Sequence, residues 1–148
     1  GIESALCMLT AMRSGTTFLL HSCGILGAYL SMSYEKFILD EEIIAMVKRI
    51  LRPVIISDTT IDFDTINEVG AGGEFLSHPT TFEHFRDEHF DTTLFNRLGY
   101  NEWVQQGKKD AITRAGEIYK ARLESYEKPE LDPEIEKRIS NYIQEKVC

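Results

Sequence analysis

Three cysteines in 148 residues, Cys7, Cys23 and Cys148, are odd in number and share no repeated spacing. That excludes a disulfide framework and fits a reducing cytoplasm. No stretch approaches the roughly 20 consecutive apolar residues of a membrane span, so no membrane is expected as a partner. The N-terminus has no basic region ahead of its apolar residues and does not look like a signal peptide. Basic charge is also scarce, with 16 Lys and Arg against 24 Asp and Glu and a formal charge of −8. The deficit is local: between residues 53 and 100 only Arg86 and Arg97 stand against nine carboxylates. A nucleic-acid partner needs a basic footprint, so none is expected. An acidic solvated face accounts for the imbalance, and a basic partner or a cation would also suit it. Internal repeats and low-complexity tracts are missing, and the linker-like stretch 127–133 is too short to divide domains. Residues 1–148 therefore read as a single segment, long enough to bury a real core.

What is present is mainly helical. Leu6, Leu9 and Met12 recur every three residues ahead of Gly15, which predicts a helix over 1–15. The opening Gly1-Ile2, with no cap and no methionine, reads as the middle of something longer. The β-branched and apolar run Thr16–Leu20 predicts a strand buried on both faces, ending at His21-Ser22-Cys23-Gly24. Gly24 and Gly27 then permit a tight turn or a close backbone approach. Ser33 to Arg52 carries the clearest helix, with Ser33 as N-cap, Leu39, Ile43, Met46, Val47 and Ile50 as its stripe, and Pro53 as its stop. Further apolar residues at Tyr34, Phe37, Ile38, Ile44 and Leu51 widen that stripe, so the helix should pack on two sides. Val54-Ile55-Ile56 reads as a short strand or buried linker. A helix capped by Asp58 or Thr59 should reach Val69, before the flexible Gly70-Ala71-Gly72-Gly73. Thr80 with Glu83 suggests a capping box for a helix through Phe90. Two amphipathic helices follow, one marked by Ile112, Ala115, Tyr119, Leu123 and Tyr126. The other has Asp132 as N-cap, Pro133 at its first position, and Ile135, Ile139, Tyr142, Ile143 and Val147.

Candidate chemistry is sparse. His21 at the end of the expected strand can orient a substrate or exchange a proton, or sit half-buried against backbone. His21 with Cys23 offers a nucleophile and a base, but no third group is evident and a packed thiol is the plainer reading. The Gly70–Gly73 turn can cradle an anion through its amides, yet it lacks the Lys-Ser/Thr of a P-loop, and Glu74 makes phosphate unwelcome. His78, His84 and His89 stand among carboxylates, but a five-residue step between His84 and His89 misses the i, i+4 register of helical metal ligands, so no metal is expected. Core packing is expected of Tyr34, Tyr100 and Trp103, and exposure of Lys108-Lys109.

Several blocks, taken in order, resemble the C-terminal part of the trimethylamine methyltransferase family. They are His21-Ser22-Cys23-Gly24, then Ser33-Tyr34-Glu35-Lys36-Phe37-Ile38-Leu39-Asp40 with Glu42-Ile43, and Val69-Gly70-Ala71-Gly72-Gly73-Glu74-Phe75-Leu76. Thr80-Thr81, Phe85-Arg86, Tyr100 to Trp103 with Gly107, Tyr126 to Pro129 and Leu131-Asp132-Pro133 complete the series. The Ser-Tyr-Glu-Lys-Phe and Gly-rich blocks are specific as a pair rather than singly.

The resemblance implies a helix-rich α/β fold, the C-terminal section of a TIM-type (α/β)8 barrel, incomplete in this chain. It implies a cytoplasmic enzyme of anaerobic methyl metabolism, methanogenesis included. Members move a methyl group from trimethylamine, glycine betaine or a related small amine to the cobalt of a separate corrinoid protein, and some carry pyrrolysine. On this resemblance His21 and Glu74 should contact substrate. Gly70, Gly72 and Gly73 should lie on a loop near substrate or the incoming corrinoid protein. No cofactor is expected on this chain itself, since the corrinoid belongs to the partner. No catalytic residue is assigned, the roles of Glu35 and Lys36 stay open, and the segment is expected to be inactive alone. Apolar faces left open by the missing part should make it self-associate as a homo-oligomer. A second reading from another class is a non-catalytic helical module that binds a partner through its acidic middle third.

Overall fold

Ser33 opens the longest helix, Tyr34–Ile50, by adopting an extended backbone and accepting the Lys36 N–H through its hydroxyl. A computed structural model describes residues 1–147. Cys148 lies outside the described residues, as does the side chain of Val147. In chain order the elements are α1 (Ile2–Arg13), β1 (Ile25–Leu26), β2 (Ser31–Met32), α2 (Tyr34–Ile50), α3 (Asp58–Ile61) and α4 (Phe63–Val69). Then come α5 (Pro79–Glu88), α6 (Tyr100–Gln105), α7 (Ala111–Glu124) and α8 (Pro133–Val147). The two short strands pair antiparallel, Ile25 with Met32 and Leu26 with Ser31. No helix among the described residues is long and apolar enough to cross a membrane.

Helix α2 packs on two sides, as its wide apolar surface predicts. On one side Ile43 and Val47 close over Met8 of α1, with Ala5, Leu9 and Met12 around them. On the other, Ile38 meets Leu94 and Ala115 of α7, flanked by Leu39, Ala111 and Ile118. Each fully buried aliphatic side chain contributes about 1.5–3 kcal/mol. Leu94 reaches its place because Glu42 of α2 accepts the N–H groups of Thr93 at 3.0 Å and Leu94 at 3.3 Å, and the Thr92 hydroxyl. Stacking of Tyr34 on Tyr119 at 5.1 Å and the Arg122–Glu41 ion pair at 2.6 Å fix α7 further along α2.

A buried carboxylate ties the hairpin to the same helix. Asp40 is 1% exposed. It accepts the Gly24 N–H at 2.9 Å and both its oxygens contact the Lys36 ammonium, at 2.6 and 2.5 Å. Lys36 also donates to Ser4 of α1 at 3.2 Å. Gly24 has φ +78, and a Cβ there would come within 3.1–3.2 Å of Met32, Phe37 and the Ser33 carbonyl. Only glycine can bring its amide this close to α2. Next to it, burial pushes the Cys23 thiol above the usual range, and the nearby Asp40 and Glu41 carboxylates add to the rise.

Several sequence expectations give way. Thr16–Leu20 is irregular and exposed rather than a buried strand, and Val54-Ile55-Ile56 is also exposed, Ile56 to 80%. Neither run has a neighbouring strand among the described residues, and a lone strand has no partner for its backbone groups. The only sheet there is the two-stranded hairpin, so the described chain is helix-rich with little sheet. The helix reaching Val69 is broken at Asp62, which takes φ +51 and caps α4, while a Ser57–Thr60 capping box starts α3. At α5 the expected Thr80–Glu83 box is replaced by His78, whose Nδ1 accepts the Thr80 N–H, with Pro79 in the first turn. Trp103 is half-buried and donates to the Lys109 carbonyl at 3.0 Å, but Tyr34 is exposed and Tyr100 is 72% exposed, so neither is a core residue. In place of one sizeable core there are two small clusters. The accessible surface is 12384 Å², against roughly 7,700 Å² for a compact monomer of this mass.

Asp40→Ala should lower stability by about 2–4 kcal/mol, because it leaves the Gly24 amide and the Lys36 ammonium without their partner. Urea unfolding followed by circular dichroism reads this directly, and an unchanged midpoint would refute the clamp. At pH 8 iodoacetamide should label exposed Cys7 well before Cys23, whose thiolate is disfavoured. Peptide mapping that finds equal rates would contradict the raised thiol.

Candidate functional site

His21 lies in a turn at φ +56 rather than at a strand end, fully outside the core. Its ring meets Tyr29 edge-on, with centroids 4.8 Å apart and planes at 72°. Tyr29 is itself left-handed at φ +71, as is Ala28 at φ +51. Three non-glycine residues at positive φ within nine positions concentrate backbone strain here, which surrounding contacts must hold. The contact that does so is the Gly24–Asp40 hydrogen bond at the hairpin base, backed by Ser33 N–H donating to the Gly24 carbonyl at 2.9 Å. The result is an exposed aromatic and imidazole pair on a short hairpin anchored to α2. Tyr29 was not singled out by sequence reasoning. It sits in the four-residue loop between the paired strands, and Gly27 directly after Ile25-Leu26 was the local sign of that turn.

The nucleophile reading of Cys23 loses support. No hydrogen bond joins it to His21 among the described residues, and its raised thiol is the opposite of an activated one. Glu35 and Lys36 are structural in this arrangement: Glu35 accepts from the Ser33 hydroxyl at 2.7 Å, and Lys36 neutralises Asp40. That hydrogen bond holds the Glu35 carboxyl below its ordinary value.

The glycine loop caps α4. Gly70 at φ +68 donates to the Ile66 carbonyl, and Gly73 donates to the Gly70 carbonyl at 3.3 Å. Two of the loop's amides are therefore turned inward and not offered to an anion. A Cβ on Gly73 would run into the Val69 carbonyl oxygen, whereas Gly70 and Gly72 face open space. Glu74 is exposed, and among the described residues it has no hydrogen bond or ion pair. Among the described residues no hydrogen bond or ion pair joins this loop to His21.

A cleft of about 630 Å³ opens beside the loop, between the end of α2 and α3–α5. Phe75, Ile55 and Ile66 supply apolar wall, Thr60 and His84 polar wall, and Arg49 its rim. Arg49 pairs with Glu88 at 2.6 Å, and that hydrogen bond draws the Glu88 carboxyl below its usual range. Nothing local in the sequence marks this cleft, because its walls come from five separate segments. His78 sits 3.6 Å from Glu68, and no three His, Cys, Asp or Glu side chains converge as a metal site among the described residues.

Comparison with known proteins adds what the geometry leaves open. Residues 1–147 match the family described as trimethylamine methyltransferase (MTTB). The chain is 35% identical over 143 residues to the glycine betaine methyltransferase of Desulfitobacterium hafniense (strain Y51), covering 97% of this chain and 30% of that protein. It is 34% identical over 147 residues to the L-carnitine:corrinoid methyltransferase of Eubacterium limosum, covering 98% and 30% respectively. The trimethylamine methyltransferase MttB of Methanosarcina thermophila is 28% identical over 128 residues, covering 86% and 26%. The chain thus spans about 30% of the length of the curated relatives it matches. With the match running from the first helix to the last, the chain belongs to the trimethylamine methyltransferase family.

Proposed function

We propose that this chain is the C-terminal section of an enzyme that moves a methyl group from a small amine to the cobalt of a corrinoid carried by a separate protein. The observation that carries this reading is the family match over residues 1–147, together with relatives named for methyl transfer at 34–35% identity. Glycine betaine and L-carnitine, the compounds in those two names, are quaternary ammonium compounds bearing a carboxylate. The lower identity to the trimethylamine relative favours a quaternary amine as substrate over a tertiary one. In this reading the segment forms the last part of a TIM-type barrel, works in the cytoplasm, and depends on the remainder of the enzyme for activity.

The chemistry asks for positioning more than for acid and base. The methyl leaves as a cation equivalent, its bonding electron pair stays on nitrogen, and a neutral amine departs without taking up a proton. When bound by its own protein, reduced corrinoid supplies the electron pair that accepts the methyl. What this chain's residues do is bind and orient. His21 and Tyr29 offer an aromatic pair against which a quaternary ammonium can rest, and Glu74 offers a carboxylate to its charge. Gly70, Gly72 and Gly73 give the loop carrying Glu74 the freedom to approach the substrate or the arriving corrinoid protein.

Methyl transfer to Co(I) corrinoid, followed by its visible spectrum, tests the reading. It should be run on this chain and on the same gene extended upstream, with glycine betaine, carnitine and trimethylamine. Transfer is expected from the extended protein only, with the quaternary amines preferred. If neither protein methylates cobalt with any amine, the reading fails and the acidic helical module takes its place. In the active protein Tyr29→Ala should lower kcat/KM by about 2- to 30-fold, the worth of one cation–aromatic contact. An unchanged kcat/KM removes Tyr29 from the substrate site.

A further inference from the structure

We propose that α8 is a self-recognition helix that pairs antiparallel with α8 of a second copy of this chain. The inference stands apart from the methyl-transfer reading. Every described side chain from 133 to 146 is exposed, and α8 is the most sharply two-faced helix in the chain. Ile135, Ile139, Tyr142 and Lys146 follow one another at steps of four, three and four residues, the spacing of a seam between two helices. A shallow furrow runs along this face, lined by Ile135, Ile139 and Tyr142 with Arg138 and Glu145 at its edge.

Charge selects both the partner and the direction. Antiparallel layering that sets Ile139 against Tyr142 of the second copy also sets Ile135 against its Lys146. The same register brings Arg138 opposite Glu145 of the second copy, and two-fold symmetry makes that pair twice. Neither Arg138 nor Glu145 has an ion-pair partner among the described residues, so both are free to make it. On the other flank Glu136 is already neutralised by Lys128 at 2.8 Å and faces only Ile143. The acidic first turn, Glu134 and Glu136, meets the basic last turn at Lys146, in line with opposed helix dipoles. A parallel pair would instead place Lys146 against Lys146 in the seam and leave Arg138 beside Ile143. The helix has 15 residues and is about 22 Å long. Such a contact falls below the size of a standard stable interface, so the dimer should form in the micromolar range and weaken with salt.

Sedimentation equilibrium of the full 148-residue chain across micromolar concentrations, with circular dichroism to check folding, provides the test. All substitutions fall on exposed positions. Arg138→Glu and Glu145→Arg should each weaken dimerisation by about tenfold, since each turns two attractive pairs into repulsive ones. The double reversal R138E/E145R should return the dimer to within about twofold of the original, as the pair is restored with its sign exchanged. Ile139→Glu should leave a monomer. A chain that stays monomeric throughout, from α8 folding back on its own molecule or waiting for another protein, would overturn the proposal. So would a dimer indifferent to the single reversals, or a double variant no better than the singles.

Discussion

Asp40 joins three parts of the chain that share little else. Its carboxylate is almost wholly buried, a position that costs several kcal/mol unless the charge is met. Two groups meet it: the Lys36 ammonium one helical turn earlier and the Gly24 amide at the hairpin base. Lys36 reaches on to Ser4, so the same charge that fixes the hairpin also touches α1. The hairpin has only two residues in each strand, and a ladder that short has no independent stability. Its strained residues, His21, Ala28 and Tyr29, hold their conformation because their base is fastened to a rigid helix. The geometry of the proposed substrate contact is thus set at a buried ion pair that the substrate itself would never touch.

Around that clamp α2 acts as a spine with an apolar cluster on each side. Met8 and Ala115 belong to different clusters and meet only through it. Both clusters are small, and much of the remaining apolar surface is open to solvent. The open surface falls into two kinds. Val54-Ile55-Ile56 lies outside any helix and is β-branched, which suits pairing by backbone, whereas the face of α8 is helical and suits packing by side chains. The two would be covered by different means, so one and the same contact cannot account for both.

Local features of the sequence proved the most readable. Ser33 as cap, the two-sided breadth of α2, the stop at Gly15 and the Asp132-Pro133 start of α8 all depend on neighbours within four residues. Expectations that needed a distant partner fared worse. Thr16–Leu20 has the composition of a strand, but a strand exists only where another edge accepts its hydrogen bonds, and none does so among the described residues. Tyr34 and Tyr100 carry no local mark of exposure; each meets one aromatic neighbour, Tyr119 and Trp103, which leaves most of its surface open. The buried role of Asp40 was also invisible, since a carboxylate on a helix reads as a solvated one until Gly24 is seen sixteen residues away. Of the predicted site residues, His21 gained a partner that sequence reasoning passed over.

Motif reading yielded so little chemistry for a reason that lies in the proposed reaction. Hydrolases and transferases that move protons need groups with displaced pKa values, and such groups leave recognisable spacings of His, Cys, Asp and Glu. Transfer of a methyl from a quaternary nitrogen moves no proton at all. Its demands are a place for a cation, a free line of approach to one methyl, and removal of water from both. Aromatic faces, glycine turns and a carboxylate meet those demands, and each is common enough in ordinary proteins to carry no signature. The one polarised thiol near the hairpin, Cys23, is shifted away from reactivity, as a site without nucleophilic chemistry permits. For an enzyme of this kind the identity of the reaction resides in the order of whole segments along the chain, which is why the linked Ser33–Asp40 and Val69–Leu76 blocks carried more information than any single residue.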